Sequence, residues 1–147
     1  MARESVAQQV ARAQSAVGQE AMRFYRLFGV AVSARIIRRT PRKTGRAQGN
    51  WRAKIGRAMP GRSWTDAGEN TLPQIASTFQ QAQLGQRVYM TNSVPYIGVL
   101  EHGRQGSVLT ATTRGDTRQK GHFMVALTVA EAQQLGNQVS AQVSGGQ

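Results

Sequence analysis

The first 38 residues contain no proline, and their apolar side chains recur at three- and four-residue steps. Val6, Val10, Ala13, Val17, Ala21, Phe24, Phe28 and Ala31 fall on one stripe, the pattern of an amphipathic helix. One helix from about Arg3 to Arg38 is therefore expected, roughly 50 Å long at the usual rise per residue. Gly18 and Gly29 are its weak points, costing roughly 1 kcal/mol each against alanine. From Met22 to Ile37 it is apolar on more than one face, which suits a core element. From Arg3 to Glu20 it is rich in Gln and Ala, which suits either an arm lying on a neighbour or a surface helix packed on its own domain. A rod of that length dictates the rest: the remaining chain must pack along it.

Thr40-Pro41 ends the helix, because proline disfavours helical geometry in the residue before it. Next comes Arg42-Lys43-Thr44-Gly45-Arg46-Ala47-Gln48-Gly49, a basic loop punctuated by glycine, leading into a strand from about Asn50 to Arg57. Alternation puts Trp51, Ala53 and Ile55 on one side and Arg52 and Lys54 on the other. Met59-Pro60-Gly61 breaks the strand, and a loop runs to Asn70. A second helix is predicted from about Leu72 to Leu84, capped by Asn70 or Thr71, with Pro73 in its first turn and Leu72, Ile75, Ala76 and Phe79 as its stripe. A second strand follows from about Gln86 to Thr91. One or two helical turns then carry Tyr96, Val99 and Leu100 inward and stop at Gly103. Arg104–Gly121 reads as a mobile loop with a possible short edge strand at Val108–Thr112. A third helix is expected from about Phe123 to Val139, carrying Phe123, Leu127, Ala130 and Leu135. The fold class is α+β: a long N-terminal helix, a small antiparallel sheet packed by two to three helices, and an extended loop arm. The organisation is a helical arm over 1–20, one domain over 21–140 and a flexible tail over 141–147.

Composition limits the chemistry. A chain of 147 residues with 39% hydrophobic side chains suits one domain, able to bury roughly 68–70% of its unfolded surface. There is no cysteine, so disulfides, thiolate metal sites and cysteine nucleophiles are excluded. No apolar run approaches the roughly 20 residues of a membrane span, and no signal-like start is visible, so a cytoplasm-like compartment and no membrane partner are expected. The formal charge is +12, which predicts attraction to nucleic acid, an anionic membrane or an acidic protein. Between Ala21 and Thr65 there is no acid, while Arg42, Lys43, Arg46, Arg52 and Lys54 accumulate with other arginines. These five are the candidate contacts to an anionic partner.

The search for catalysis finds little. His102 and Glu101 are adjacent and point about 100° apart on a helix, and His122 has Asp116 as its nearest acid, so a metal-dependent hydrolase built on His102, His122 and Glu101 is the weakest reading. Ser93, Ser107 and Thr110 lie in no nucleophile motif. The Gly45–Asn50 loop lacks the Lys-Ser/Thr that ends a phosphate-binding loop. No enzyme and no cofactor are expected. Near the basic loop, Trp51 and Trp64 could stack on bases, although Trp51 sits at a core position and no base-reading motif accompanies it.

The order of short motifs closely resembles the tail-completion (neck, or head–tail joining) proteins of long-tailed bacteriophages. The residues are Thr40-Pro41, Thr44-Gly45-Arg46, Gly49-Asn50-Trp51, Asn92-Ser93 with Pro95-Tyr96, Glu101-His102-Gly103 and His122-Phe123-Met124. They follow the family's Pro-x-x-Thr-Gly-Arg loop, Asn-x-x-x-Tyr turn, acid with a glycine soon after, and aromatic–apolar pair opening the last helix. The resemblance spans about Thr40 to Ala130 and departs at Ile97-Gly98 and in the longer, more basic loop from Arg104. It makes Thr44, Gly45, Trp51, Tyr96, Glu101, Gly103 and Phe123 core or motif positions. It implies a compact α+β subunit of a homo-oligomeric ring, six-membered, at the head-proximal end of the tail. The expected partners are the head connector or stopper and the tail tube, with non-specific contact to viral DNA. The place implied is the virion neck, reached from the host cytoplasm during assembly. Arms bridging neighbours would be Arg3–Glu20 and the later loop, with Arg104, Val108, Leu109, Arg114 and Arg118. The alternative is a sequence-independent nucleic-acid-binding protein.

Overall fold

The computed structural model describes residues 5–61, 71–104 and 119–145, with backbone alone at Arg104 and Gln119. It is an α+β fold built on one helix, α1 (Val6–Arg39), 34 residues long. The helix opens with a capping box, in which Ser5 Oγ accepts from Gln8 N at 3.3 Å and Gln8 Oε1 accepts from Ser5 N at 2.8 Å. Two of the amide groups left open at a helix start are satisfied this way. It closes at Thr40, one residue before the proline, as the sequence requires.

A single turn, α2 (Arg46–Gly49), precedes strand β1 (Trp51–Ile55). After α3 (Thr71–Gln81), strand β2 (Val88–Asn92) pairs antiparallel with β1, from Trp51 opposite Asn92 to Ile55 opposite Val88. The alternation holds: Trp51 is buried, and Ala53, Val88 and Met90 pack on the same core as Ile75, Phe79 and Ile36. Arg52, Lys54, Tyr89 and Thr91 occupy the opposite face. α3 lies between the sheet and α1, with Thr78 Oγ1 donating to Ala53 O at 3.4 Å. Helix α4 (Ile97–His102) ends at Gly103, whose φ of 80° is one glycine adopts without strain.

Strand β3 (Gly103–Arg104) pairs with β4 (Gln119–Lys120), closing the base of the predicted loop arm. Val108, Leu109, Arg114 and Arg118, expected on that arm, lie outside the described residues. Its exit is clamped to α4: His122 N donates to Leu100 O at 2.7 Å and Phe123 N to Glu101 O at 3.0 Å. A Cβ on Gly121 would lie 2.7 Å from Glu101 O, so the approach requires glycine.

The C-terminal helix differs from expectation. It is two helices, α5 (Met124–Ala130) and α6 (Ala132–Ser144), with Glu131 at the break. Met124 and Thr128 of α5, and Leu135, Val139 and Val143 of α6, face inward. Phe123, Leu127 and Ala130, expected as the buried stripe, are exposed. The reason is local: Phe123 takes a left-handed backbone (φ 47°) while its amide is tied to α4, so Met124 is the residue presented to the core. Glu131 holds the break by accepting from Arg35 at 2.8 Å and from Arg39 at 2.6 Å, both on α1. α6 then returns along α1, with the stacked rings of Phe24 and Phe28 near Gly136. It continues past Val139 to Ser144, keeping Val143 buried inside the segment expected as a tail.

Gly29 and Gly18 test the packing of α1. A Cβ on Gly29 would sit 2.1 Å from the Phe79 ring, whereas one on Gly18 meets nothing within 4 Å. Gly29→Ala should therefore destabilise the fold by about 1–3 kcal/mol through overpacking, outweighing alanine's helical advantage. Gly18→Ala should stabilise it by up to about 1 kcal/mol. Urea unfolding followed by circular dichroism reads both.

Candidate functional site

The stretch after α1 is held by side chains that satisfy each other's backbone neighbours. Thr40 is buried; its hydroxyl donates to Ile36 O and accepts from Trp51 Nε1, both at 2.8 Å. Gln48 Nε2 donates to Thr40 O at 2.8 Å and to Ile37 O at 3.2 Å, the second a carbonyl that also accepts from Thr40 N, so the end of α1 gains a side-chain donor. Asn50 Nδ2 donates to Arg46 O at 2.8 Å, and Asn92 Nδ2 reaches from β2 to Ala47 O at 2.7 Å. Thr44 Oγ1 accepts from Arg46 N at 3.3 Å, and Gly45 takes the left-handed turn at φ 82°. Buried polar groups must be paired, and here the pairing fixes a short basic loop to the sheet. Thr40, Gln48, Asn50 and Asn92 thus do structural work that their residue types alone did not reveal.

Around this scaffold the cations divide into two sets. Arg42 and Lys43 are exposed at the loop, and Arg46 is half-buried. Lys43, Thr44, Gly45 and Arg46 line a cleft of about 270 Å³ with Tyr96 and Leu100 across from them. Tyr96, expected to point inward, is 39% exposed, and Leu100 is the buried residue of α4. The Pro95-Tyr96 turn leaves the tyrosine ahead of the first helical position, where it meets the basic loop instead of the core.

The second set lies on the outer face of the sheet. Arg52 and Lys54 are partly exposed there, and the cross-strand partner of Lys54 is the exposed Tyr89. Arg87, two residues before Tyr89, extends the positive charge beyond the end of β2. None of Arg52, Lys54 and Arg87 has a carboxylate partner among the described residues. Arg87 and Tyr89 were missed as surface residues; the alternation of β2 holds the signal once its register against β1 is known.

Glu101, weighed as a metal ligand, caps a helix. Its carboxylate accepts from Val125 N at 3.1 Å and Ala126 N at 3.0 Å, where an anion meets the positive end of the peptide dipoles. His102 and His122 are exposed, and no group of three His, Asp or Glu among the described residues could hold a metal ion. Trp51 is in the core, as its place in the alternation indicates, while Phe123 is not.

Compared with family models, with curated proteins and with solved structures, the chain matches none.

The Thr40–Trp51 bond gives a direct test of the scaffold. Thr40→Val removes the hydroxyl and leaves the buried indole N–H unpaired, and should cost about 1–3 kcal/mol. Thr40→Ser keeps the oxygen and should lose markedly less. Urea midpoints of the two variants compare them.

Proposed function

We propose that the chain is a structural subunit of a phage particle, forming a ring at the head-proximal end of the tail and joining it to the head connector. The observation that supports this best is the N-terminal half of α1. From Ser5 to Val17 every residue is exposed, although the helix carries an apolar stripe and is capped at its start. An ordered rod with an uncovered stripe is of use to a neighbour. The motif resemblance from Thr40 to Ala130 points the same way. In this reading six copies close the ring, and the neighbours above and below are the connector or stopper and the tail tube. Arg42, Lys43, Arg46 and Arg52 serve one anionic partner, an acidic protein face or passing DNA, and no catalytic step is involved. The subunit assembles in the host cytoplasm and resides in the virion neck. No described helix is long and apolar enough to cross a membrane.

A second reading, sequence-independent nucleic-acid binding by the free protein, is favoured by the outer sheet face. Arg52, Lys54 and Arg87 could neutralise backbone phosphates, with Tyr89 beside Lys54 on the same face.

Two measurements separate these readings. Size-exclusion chromatography with light scattering should show a discrete large oligomer, or one that grows with concentration, if the subunit forms a ring. A monomer that binds a short duplex, with the logarithm of affinity falling at a slope of about −3 against the logarithm of salt for three phosphate contacts, would favour the second. Within particles, reversing Arg42 and Lys43 to glutamate should block joining or DNA retention while the domain stays folded. Unchanged infectivity would remove the role given to those cations.

A further inference from the structure

Among the described residues, two apolar stripes are uncovered at opposite ends of α1. The first is the stripe Val6, Val10, Ala13 and Val17, with Val6 76% and Val17 66% exposed. It continues the line along which α6 packs, because Val17 and Phe24 border the place where Val143 ends that contact. The second is the outward face of α5, formed by Phe123, Leu127 and Ala130, with Leu127 48% exposed. Arg39 Nη1 donates to Thr128 Oγ1 at 2.8 Å, so α5 sits beside the last turn of α1. From Val10 to Arg39 the axis runs roughly 43 Å. The two surfaces cannot meet within one copy.

Charge indicates what covers them. Two chains of +12 repel each other across most of their surface. Between Ser5 and Gln19 the single charged residue is Arg12, and from Gly121 to Gly145 it is Glu131, which is already held by Arg35 and Arg39. Thr71–Gln86 and Val88–Leu100 carry no charge at all, but they expose single apolar side chains (Leu84, Tyr89, Tyr96) and no stripe. The arm and α5 are therefore where a second copy can bury a continuous apolar face at low electrostatic cost. The arm stripe, roughly 16 Å long, is more than enough to cover the roughly 10 Å of the α5 face.

We infer that the Val6–Val17 stripe of one copy docks on the Phe123–Leu127–Ala130 face of the next. The contact joins unlike surfaces head to tail, the type that closes a ring or extends a filament. It rests on the reading of the protein as a ring subunit and names the surfaces that would build the ring.

The test uses the full chain and two exposed-site variants, Val10→Glu and Leu127→Glu, with circular dichroism to verify that each stays folded. Light scattering should show wild-type oligomers and a monomer for each variant alone. Mixed in equal amounts, the variants should give a one-to-one dimer, because the intact arm of Leu127→Glu fits the intact face of Val10→Glu and neither dimer can grow. Val129→Glu, on the other flank of α5, should oligomerise like wild type. Wild-type oligomers that survive both substitutions would overturn this contact and leave the ring reading standing. Loss of assembly in Val10→Glu alone, with Leu127→Glu unaffected, would mean that arms pair with each other and would also overturn it. An open filament that still shows the mixed dimer would keep the contact and remove ring closure. A wild-type monomer at every concentration would overturn both.

Discussion

The fold depends on how closely α3 can approach α1. Phe79 lays its ring against the backbone of Gly29, and Tyr25, one turn earlier on α1, meets the same ring edge-on at 6.0 Å. Ser33 hydroxyl donates back to Gly29 O at 2.7 Å, so the polar group on this buried face is satisfied within the helix. With α3 seated this deeply, the buried Ile75 joins the core beneath the sheet, and Ala53 and Met90 close over it. A two-stranded sheet has too little surface to be stable alone. Its place is set by a helix whose own place is set by a missing methyl group. The glycine that weakens α1 as an isolated helix is what allows it to serve as a spine.

The residues that carry the family resemblance prove largely architectural. Gly45 turns the chain, Thr44 holds the turn, Trp51 fills the core and is tethered to Thr40, and Gly103 ends α4. Glu101 starts α5 by satisfying two of its amides. Such a set can recur for folding reasons alone, since each residue solves a backbone problem that few others can solve. The loop's contacts to a partner would then come from Arg42 and Lys43, which make no contribution to the core. Shape and contact are divided between neighbouring residues of one short segment.

Periodicity made the long helix, both main strands, α3 and the buried side of β1 legible in the sequence. Each has a regular repeat over enough residues, and Thr40-Pro41 adds a stop signal. The region after Gly103 was harder to read. There the apolar residues offer two stripes, Phe123–Leu127–Ala130 and Met124–Thr128, and hydropathy favours the first. The fold uses the second because backbone bonds from His122 and Phe123 to α4 fix the entry angle. Those bonds pair residues far apart in sequence and leave no local signature. Tyr96 was misread for a related reason: an aromatic beside a proline turn looks like a core residue, but its place at the helix cap aims it at the basic loop. The cations of the outer sheet face were half legible, since Arg52 and Lys54 follow from the alternation of β1, whereas Arg87 and Tyr89 join them only through the β1–β2 register.

The outward stripe of α5 bears on assembly. A hydrophobic stripe that is strong in sequence and yet turned outward is a cost to a solitary protein, which must keep it from sticking to others. The same holds for an arm that keeps valines at helical spacing beyond Val143, the last described residue packed near it. A purely solvated helix would need neither feature, and a +12 chain already has ample charge for solubility. Repulsion between like-charged copies would oppose any association not supplied with apolar contact, so charge selects where copies can join as well as whether they do. Weakly charged apolar ends on a strongly cationic body are the arrangement expected if subunits must stay apart in random orientations and join in one.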